Sequence, residues 1–522
     1  MGGAALRAFI LSFLLALPAA ATTTDSSFPG GLATIGGAVL FFADDGVSHR
    51  QLWRTDGTAA GTYALTDFGR FDFSEPFLAT ERLYFFLGYD SSGGEWGLWA
   101  SDGTPAGTLR LTGEDVSVFR EDKFFAAGQG FLYFRASDPE HGFELWRSDG
   151  TPAGTRMVAD LVPGPEGAEI RDLVECRGLV WFSLHRSTLW RTDGTTAGTA
   201  KAIDPVPDWA SRDELGQILA LGDRLVFFAL SPRGRDLQLW AGDGTAQGTH
   251  PITSLPRNTY FLGPAVVQGG TLFFLVERVG GGEYVKTLWA SDGTRRGTRA
   301  LTRAPVSRLD LQSLVSSQGM GDRLFFLAER RGHGREPWIT DGTPGGTRML
   351  QDVCPGPCTS QTKLLGVFGG RLWFTGSAWD TSEERVGLWS TDGTPEGTSL
   401  VSELCRDGCA QAPPLAFFAV GERLVFVERT GESDIEIWST DGTGPGTVQL
   451  TDFEPVFPWA ERGFQGAVLT GQLLFNADDG EHGQELWRTD GTRAGTEPVA
   501  DLNQSILGVS STPGRLLWAV RP

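Results

Sequence analysis

Residues Glu144-Leu-Trp-Arg-Ser-Asp-Gly-Thr-Pro-Ala-Gly-Thr155 form one copy of a pattern that recurs along the chain. Each copy has a Trp, then Asp-Gly-Thr after two residues, then two free positions and Gly-Thr, and ten copies follow one another in steps of 44 to 51 residues. The repeated tryptophans are Trp53, Trp99, Trp146, Trp190, Trp240, Trp289, Trp338, Trp389, Trp438 and Trp487. This spacing predicts one internal-repeat architecture and not a series of unrelated domains.

Each repeat has the pattern of four short strands. Around Trp240, apolar runs at 217–221, 224–230, 237–240 and 249–253 are separated by turn residues, which is typical of antiparallel strands. The second run is apolar at consecutive positions, as in Phe227-Phe228, so both faces of its sheet are expected to be covered. Helical periodicity is absent outside the N-terminal segment. We therefore predict an all-β fold.

Four-stranded sheets of this size stack around an axis as propeller blades, because none can bury both faces alone. We predict a β-propeller of about ten four-stranded blades in one ring. Two five-bladed rings and an incomplete superhelix remain as alternatives. A closing half-repeat at 503–522 predicts that one terminus completes a blade begun by the other. Each repeated Trp is expected to pack against the next unit's sheet.

The Asp of each copy fits a turn, since its carboxylate can accept hydrogen bonds from backbone N–H groups two residues on and the next Gly tolerates positive φ. The Gly of Gly-Thr is expected to be the left-handed bulge residue that closes a hairpin. A ring of catalytic acids or metal ligands is the competing interpretation, but catalysis needs one special site, not ten equal ones. The ten predicted structural aspartates are Asp56, Asp102, Asp149, Asp193, Asp243, Asp292, Asp341, Asp392, Asp441 and Asp490.

The N-terminus has the pattern of a secretory signal peptide. Arg7 precedes an apolar run at 8–17 and small residues up to Ala21. The run is shorter than the roughly 20 residues that a membrane anchor needs. We predict a signal peptide at 1–21 and an exported repeat array at 22–522, secreted or periplasmic, with no membrane span.

Composition excludes some partners. The chain has 44 Lys+Arg against 64 Asp+Glu, a formal net charge of −20. Nucleic acids and anionic membrane surfaces bind basic faces, so neither is a predicted partner.

The cysteines fit an oxidising compartment. Cys354 and Cys358 form one closely spaced pair, and Cys405 and Cys409 form another with the same spacing. Two short-loop disulfides are the first interpretation, and a zinc site with four thiolates is the alternative. Cys176 is left over and is expected to be a buried thiol.

The repeats resemble the bacterial ELWxxDGT repeat family. Residues 144–151 and 485–492 carry the whole signature, and 477–483 and 160–164 are similar to its flanking segments. Departures occur at Gly97, Thr287, Gly387 and Pro337. The resemblance implies a secreted, propeller-like protein and no particular reaction. The turns are also similar to the Asp-box hairpins of sialidase propellers and to quinoprotein blades, in which the repeated hairpin or Trp is scaffold.

Function on repeat scaffolds lies in variable loops. In a four-stranded blade the Asp-Gly-Thr turns lie on one face and the variable loops on the other. Trp209, Trp379 and Trp459 fall in such loops, and they are the candidate ligand-binding residues. A Trp beside carboxylates can stack on a sugar or contact a protein partner, although packing of the loop itself is the simpler interpretation.

Other chemical signals are weak. The acid pairs at 44–46 and 478–480 suit turns better than a Ca²⁺ site, so no cofactor is predicted and Ca²⁺ remains the alternative. His141, His333 and His482 occupy one repeat position in different blades and are expected at the surface. Nucleophile-elbow, Walker and HExxH patterns are absent, and no complete sialidase-like residue set is found, so no catalytic residue is assigned.

The sequence thus favours an exported scaffold that binds a carbohydrate or another exported protein. The alternative is a carbohydrate-active hydrolase of the sialidase or glycosidase type. A hydrolase predicts a pair of buried carboxyl groups with raised pKa, about 5–10 Å apart in one cleft. A third hypothesis, a Ca²⁺-stabilised shell, predicts a melting temperature that rises with added calcium.

Overall fold

The structure is a computed structural model that describes residues 30–44, 50–66, 71–80, 82–90, 95–118, 125–204, 215–230, 237–255, 258–280, 283–302, 308–309, 318–330, 332–380, 383–406, 417–429, 435–451, 466–479 and 484–500. These residues form strands, turns and irregular segments, with no helix among them. The strands make ten antiparallel sheets arranged in a ring, so the protein is a ten-bladed β-propeller. We number the blades in chain order and the strands of each blade from the axis outward.

Blade 1 contains β1 (Gly30–Ile35), β2 (Ala38–Asp44), β3 (Arg50–Thr55) and β4 (Tyr63–Ala64). Blade 2 contains β5 (Phe71–Ala79), β6 (Tyr84–Asp90), β7 (Glu95–Ser101) and β8 (Leu109–Arg110). Blade 3 contains β9 (Ser117–Val118), β10 (Phe125–Gly128), β11 (Phe131–Asp138), β12 (Gly142–Ser148) and β13 (Arg156–Ala159). Blade 4 contains β14 (Ile170–Cys176), β15 (Leu179–Leu184), β16 (Thr188–Thr192) and β17 (Ala200–Ile203). Blade 5 contains β18 (Ile218–Leu221), β19 (Arg224–Leu230), β20 (Leu237–Gly242) and β21 (His250–Pro251).

Blade 6 contains β22 (Thr259–Gln268), β23 (Thr271–Gly280), β24 (Glu283–Ser291) and β25 (Arg299–Ala300). Blade 7 contains β26 (Arg308–Leu309), β27 (Gln318–Met320), β28 (Arg323–Arg330), β29 (Gly334–Thr340) and β30 (Arg348–Met349). Blade 8 contains β31 (Lys363–Phe368), β32 (Arg371–Asp380), β33 (Glu383–Thr391) and β34 (Ser399–Arg406). Blade 9 contains β35 (Phe417–Val420), β36 (Arg423–Arg429), β37 (Ile435–Thr440) and β38 (Val448–Gln449). Blade 10 contains β39 (Gly466–Leu469), β40 (Gln472–Asp478), β41 (Gln484–Thr489) and β42 (Glu497–Ala500).

Strands adjacent in sequence are adjacent in each sheet. In blades 3 and 7 the innermost strand is in two pieces, β9 with β10 and β26 with β27, which pair with the same second strand. Innermost strands of neighbouring blades contact one another at several interfaces, as β1 does β39, β10 does β14 and β14 does β18. The predicted four-strand repeat is therefore confirmed, with this one interruption in two blades.

The core lies between blades, and the continuous apolar second strand explains how. Side chains alternate along a strand, so Phe41 and Phe42 point to opposite sides of β2. Phe41 packs with residues of blade 10 and Phe42 with residues of blade 2. Both are 0% exposed. One apolar cluster of this kind fills each of the ten interfaces.

The repeated Trp packs against the preceding blade, so the expected contact with the next blade was wrong. Trp53 pairs across strands with Phe41, and their rings stack with centroids 6.5 Å apart. Because paired residues share one side of a sheet, the indole enters the same interface as that phenylalanine. Trp99 lies likewise in the interface of blades 1 and 2, and Trp240 in that of blades 4 and 5.

Blade 1 packs on blade 10 and closes a single ring. Trp53 shares an apolar cluster with Leu474 and Leu486. The Thr34 hydroxyl donates a hydrogen bond to the Val468 carbonyl at 3.0 Å. The two-ring and open-superhelix alternatives are therefore excluded.

The predicted closure by a half-repeat at 503–522 stays a prediction, because those residues are outside the described ones. In the residues described, every blade takes its strands from one contiguous stretch of chain, so blades 1 and 10 exchange none. The apolar face that each presents to the other is the same repeated surface that joins all other neighbours, and this makes exchange unnecessary. The predicted signal peptide at 1–21 also lies outside the described residues.

The antiparallel order gives the ring two different faces. Turns between third and fourth strands, which carry Asp-Gly-Thr, lie at the same end as turns between first and second strands; we call this the turn face. Connections between second and third strands, and between blades, lie at the opposite end, which we call the loop face. In the part of the chain described here, no helix is long and apolar enough to cross a membrane.

Candidate functional site

The turn face is built from turns closed by their own side chains. In blade 1 the Asp56 carboxylate accepts hydrogen bonds from the Thr58 N–H at 3.0 Å and the Thr58 hydroxyl at 2.7 Å. The Thr58 hydroxyl accepts from the Gly61 N–H at 3.0 Å, and the Thr62 hydroxyl donates to the Thr58 carbonyl at 2.7 Å. The same Asp–Thr pair of bonds occurs in all ten turns.

The two glycines of each turn are required for different reasons. Gly57 has φ of +90°, as expected for the residue after Asp. A Cβ on Gly61 would lie 2.0 Å from Oδ1 of Asp56. Gly61 is not in the left-handed region, so the predicted left-handed bulge was wrong. This glycine leaves room for the carboxylate that organises the turn.

Blade 5 shows how the turn tolerates a missing hydroxyl. Nine repeats have Ser or Thr before the Asp, whereas Gly242 stands there in blade 5. In blade 1 the hydroxyl of Thr55 accepts the Gly57 N–H at 3.0 Å. In blade 5 the Thr249 hydroxyl accepts the corresponding Gly244 N–H at 2.9 Å. The N–H is thus satisfied by another residue of the same turn.

The turn aspartates are exposed, and in nine of them the turn lowers the pKa of the carboxyl. Hydrogen bonds from the Thr58 hydroxyl and N–H lower the pKa of Asp56 below its ordinary value. The equivalent Thr hydroxyl is the main cause of a lowered pKa at Asp149, Asp193, Asp243, Asp392, Asp441 and Asp490. Partial burial opposes the effect most at Asp292 and Asp341, but the Thr donors outweigh it and their pKa is also lowered. A carboxylate stabilised in this way is a poor general acid.

The turns also join neighbouring blades. Arg488 of blade 10 donates to the Gly57 carbonyl of blade 1 at 2.8 Å. Arg299 donates to the carbonyl of Gly342 at 2.8 Å across the next-blade interface. The Asp-Gly-Thr turns therefore have two structural uses, closing a hairpin and receiving the preceding blade.

The loop face varies from blade to blade. The second strands β23 and β32, in blades 6 and 8, are ten residues long, whereas those of the other blades have six to eight. Blade 6 carries two exposed tyrosines, Tyr260 at 54% and Tyr284 at 71% exposure. These are the most exposed large apolar side chains among the described residues.

The structure does not describe the side-chain surroundings of the three candidate tryptophans. Trp379 lies in β32, with its backbone paired to Glu384 near the end of the hairpin, but its side chain is outside the described residues. Trp209 and Trp459 are outside them entirely. Their role in ligand binding stays a prediction.

Two loop-face segments fold back over the blade that they leave, and we call them straps. The strap of blade 3 is residues 160–168, and that of blade 7 is residues 352–360. The buried Glu144 carboxylate accepts hydrogen bonds from the Leu161 and Val162 N–H groups, both at 2.9 Å. The buried Glu336 carboxylate accepts from the Val353 N–H at 2.8 Å. A carboxylate beneath each strap thus anchors its backbone.

The first residue of the third strand leaves room for the strap. A Cβ on Gly142 would lie 2.4 Å from the Pro165 carbonyl oxygen, and one on Gly334 would lie 1.6 Å from that of Cys358. Each glycine also has φ of +65°. Both the close approach and the backbone conformation therefore require glycine here.

The role of the Glu before Leu-Trp was not predicted from the sequence. The residue type could have indicated the role, because blades 1 and 5 have Gln, another side-chain acceptor, at the same position. Gln238 is buried and its side-chain oxygen accepts from the Thr253 hydroxyl at 2.8 Å and the Leu255 N–H at 2.9 Å. The oxygen of Gln51 accepts from the Thr66 hydroxyl at 2.8 Å. This position holds the segment that follows the fourth strand.

Burial perturbs the two strap carboxyls strongly. Desolvation raises the pKa of Glu144 to about 7 against the stabilising N–H donors of the strap. Desolvation likewise raises the pKa of Glu336 to about 8. Blades 3 and 7 are separated by three blades, and each carboxyl faces its own strap. These two groups therefore do not form the paired carboxyls of a hydrolase cleft.

The histidines lie beside the straps. His141 Nδ1 is 3.0 Å from Oδ1 of Asp138, whose hydrogen bond raises the pKa of the imidazole. His333 Nδ1 is 2.8 Å from Oδ2 of Asp352. His482 is outside the described residues. The equivalent histidines of blades 3 and 7 thus take their carboxylate partners from different segments.

The structure contains a disulfide between Cys354 and Cys358, within the strap of blade 7. This bond leaves no thiolate pair in that loop for the four-thiolate zinc alternative. Cys409 and the side chain of Cys405 are outside the described residues. Cys176 is a free thiol, 3% exposed, in the interface of blades 4 and 5.

No group of three or more His, Cys, Asp or Glu side chains within the described ranges is arranged to hold a metal ion. The acid pairs considered for Ca²⁺ are only partly covered. Asp44 belongs to β2, and Asp45 is outside the described residues. Asp479 is described, whereas the side chain of Asp478 is not.

No protein-family model and no curated protein matches the chain. Among solved structures, the chain is similar to a puromycin hydrolase, with 16% identity and a TM-score of 0.32 over 69% of this chain and 60% of that one. It is also similar to dipeptidyl peptidase 4 of Porphyromonas gingivalis, with 9% identity and a TM-score of 0.41 over 88% and 65% of the two chains. A third similar structure is TolB from Acinetobacter baumannii, with 11% identity and a TM-score of 0.25 over 63% and 77%.

Proposed function

We propose that this protein is an exported scaffold of the ELWxxDGT repeat type, which binds a carbohydrate or another exported protein through its loop face. The contrast between the two faces is the observation that carries the proposal. Ten turns with the same hydrogen bonds occupy the turn face. On the loop face, the lengths of the second strands and the exposed aromatic side chains differ from blade to blade. A site for one ligand is expected where the blades differ in sequence and structure, and not at ten equivalent turns.

The polar groups of the turn face are already engaged. The carboxylate of Asp56 accepts two hydrogen bonds from Thr58, and the Gly57 carbonyl accepts from Arg488 of the neighbouring blade. A partner that binds there must compete with bonds that hold the ring together. The hydrogen bonds described at the loop face differ from blade to blade, as between the Glu144 carboxylate and the Gln238 amide, which supports it as the binding face.

The carboxyls with raised pKa support binding over hydrolysis. Glu144 and Glu336 lie in different blades, and each is hydrogen-bonded to the backbone of its own strap. A glycosidase needs its two carboxyls to face one bond of the substrate. The structural use found for both groups accounts for their burial without catalysis.

Two features support the proposal of export, the sequence pattern of the N-terminus and the disulfide. Residues 1–21 have the charge and length of a signal peptide. The Cys354–Cys358 disulfide suits an oxidising compartment. Export predicts that the mature protein, recovered outside the cytoplasm, begins at Thr22 by intact-mass measurement.

Binding is tested with the purified full-length mature protein on a glycan array and against a panel of exported proteins. We expect a ligand whose binding is weakened at least about tenfold by Trp209→Ala, Trp379→Ala or Trp459→Ala. The turn-face control, Arg296→Ala, is expected to leave binding unchanged. Binding that is lost only in the turn-face variant, or turnover of a glycan by the wild type, contradicts the proposal.

A further inference from the structure

Blade 6 presents a tall sheet at the loop face. Strands β22 and β23 have ten residues each and β24 has nine. Tyr260 pairs with Glu277, which pairs with Lys286, and one row further out Val279 pairs with Tyr284. Directly paired residues share a side, as do residues two apart along a strand. These five side chains therefore lie on one side of the sheet.

That side faces blade 7. Leu262 and Leu275 belong to the same side, and they pack with Phe326 of blade 7 in the interface between the two blades. Tyr260 and Tyr284 continue this side outward and are 54% and 71% exposed. The two rings thus lie on the side of blade 6 that faces blade 7, beyond the residues that pack in the interface. We call the space beside them, between blades 6 and 7 at the loop face, the cleft.

The sheet fixes the separation of the two rings. Tyr260 is on the first strand and Tyr284 on the third, offset by two residues along the strand direction. With strands about 4.8 Å apart and about 3.4 Å per residue, their Cα atoms are about 12 Å apart. Two aromatic platforms held at this distance on a rigid wall suit an extended ligand with repeating rings.

Cations from both blades face this cleft. Lys286 lies on the same side as the tyrosines. Arg330 lies on the side of β28 that carries Phe326 and Ala328, which pack against blade 6. Neither Lys286 nor Arg330 forms an ion pair with a described residue. Two acids lie on the facing sides of the two blades, Glu277 in blade 6 and the buried Glu336 in blade 7, which pairs with Ala328. Burial raises the pKa of Glu336 to about 8, so at neutral pH Glu277 reduces the positive charge without cancelling it.

The surrounding sector has the opposite charge from the rest of the protein. Residues 259–349, which span blades 6 and 7, contain 12 Lys+Arg against 8 Asp+Glu. The whole chain contains 44 against 64. An anionic ligand is therefore repelled by most of the surface and attracted to this sector, so electrostatics select the location.

We propose that the cleft between blades 6 and 7 binds an acidic polysaccharide. Tyr260 and Tyr284 stack on sugar rings, and Lys286 and Arg330 pair with carboxylate or sulfate groups. An acidic protein would satisfy the charges, but two flat platforms at a fixed spacing favour a regular chain of rings. This inference rests on the proposed function, because it names the ligand class and the place on the loop face.

The test is isothermal titration of the full-length mature protein with polygalacturonate, chondroitin sulfate and, as a neutral polymer, dextran. We expect binding to at least one acidic polymer and none to dextran. The double variant Tyr260→Ala, Tyr284→Ala is expected to bind at least about tenfold more weakly. Tyr63→Ala, which removes a partly buried tyrosine of blade 1, is the matched control and is expected to bind as the wild type does.

Charge variants separate stacking from ion pairing. Lys286→Glu is expected to weaken binding about tenfold at low ionic strength, and the difference should shrink as salt is added. Glu277→Gln removes the acid that the described residues place on the tyrosine side, and it is expected to tighten binding about threefold. The substituted side chains, those of Tyr260, Glu277, Tyr284 and Lys286, are at least partly exposed, so little loss of stability is expected. An unchanged melting temperature confirms that each variant is folded.

The outcomes distinguish this inference from the broader proposal. If an acidic polymer binds the wild type and the tyrosine double variant equally, the cleft assignment is wrong while loop-face binding stands. Equal binding of dextran overturns the acidic ligand class. If no polymer binds but an exported protein does, the polysaccharide is wrong and the scaffold remains. If the array and protein panel find no ligand at all, both fail.

Discussion

Blades 3 and 7 place the same kind of strap over the same strand but close it differently. The strap of blade 3 is held without a covalent link, by a parallel bridge between Phe143 and Gly167 and by the Glu144 carboxylate. The strap of blade 7 adds its disulfide and the Ser360 hydroxyl, which donates to the Arg335 carbonyl. A backbone hydrogen bond closes both straps, since the Ala168 N–H donates to the Phe143 carbonyl in blade 3 and the Ser360 N–H to the Arg335 carbonyl in blade 7. The constant features are therefore a glycine that leaves room, a buried acceptor and this closing hydrogen bond. The covalent link is the feature that differs.

The largest expected effect comes from filling the space beneath a strap. Gly142→Ala and Gly334→Ala place a methyl group against the carbonyl oxygens of Pro165 and Cys358 at a φ of +65°. Each is expected to lower the free energy of unfolding by about 3 kcal/mol, measured by urea denaturation. Gly332→Ala is the control, since it has φ of +87° but nothing within 4 Å of the added Cβ, and about 1 kcal/mol is expected. Equal losses of unfolding free energy in all three variants would show that the strap moves to accommodate the methyl group without cost.

The second prediction concerns the covalent closure of blade 7. Replacing Cys354 and Cys358 together by serine removes the cross-link of a short loop and is expected to cost about 2 kcal/mol. Amide exchange at Val353 should accelerate, whereas exchange at Leu161 in the strap of blade 3 should not change. The disulfide is irrelevant to the strap if the Val353 amide exchanges at the same rate with and without it.

The third prediction is a pH dependence that both straps share. Burial raises the pKa of Glu144 to about 7 and of Glu336 to about 8, above the ordinary 4.5 of the unfolded chain. The folded protein therefore holds more protons in this range, and its free energy of unfolding falls as pH rises from 4.5 towards 8. The slope is at most about 1.4 kcal/mol per pH unit for each carboxyl.

Amide variants provide the control for this pH dependence. Glu144→Gln and Glu336→Gln keep an oxygen acceptor and remove the titration, and the chain already has Gln51 and Gln238 at the equivalent position. Urea denaturation at several pH values should give a flatter profile for the double variant. A slope equal to that of the wild type between pH 4.5 and 8 would assign the dependence to other groups.

Much of the fold could be predicted because its determinants are local and repeated. The Asp56 turn is closed within eight residues, from the hydroxyl of Thr55 to that of Thr62, and ten copies make the pattern unmistakable. The consecutive pair Phe41-Phe42 predicted burial on both faces, and the structure has both residues at 0% exposure.

The rest depends on distances that the sequence does not encode locally. When both sides of a strand are apolar, periodicity cannot tell which side meets the preceding blade, so the orientation of Trp53 was predicted wrongly. The space requirement at Gly61 arises from a side chain five residues earlier. The role of Glu144 needs the strap 17 residues later in the chain to fold back upon it. The tyrosines of blade 6 gain significance only from their register and from the neighbouring blade.

The central claim is that ten equivalent blades close one ring through the contact of blade 1 with blade 10. It is tested most directly by cross-linking Thr34→Cys with Ala467→Cys. Thr34 donates a hydrogen bond to the carbonyl of Val468, 434 residues away, and the neighbouring Ala467 packs in the interface of blades 1 and 10. A short bis-maleimide should join these cysteines within one chain, detected by intact mass and a gel shift. The pair Thr34→Cys with Val266→Cys, which places the second thiol in blade 6, should not be joined. Failure of the first pair to react, or equal reaction of the second, would contradict a closed ring.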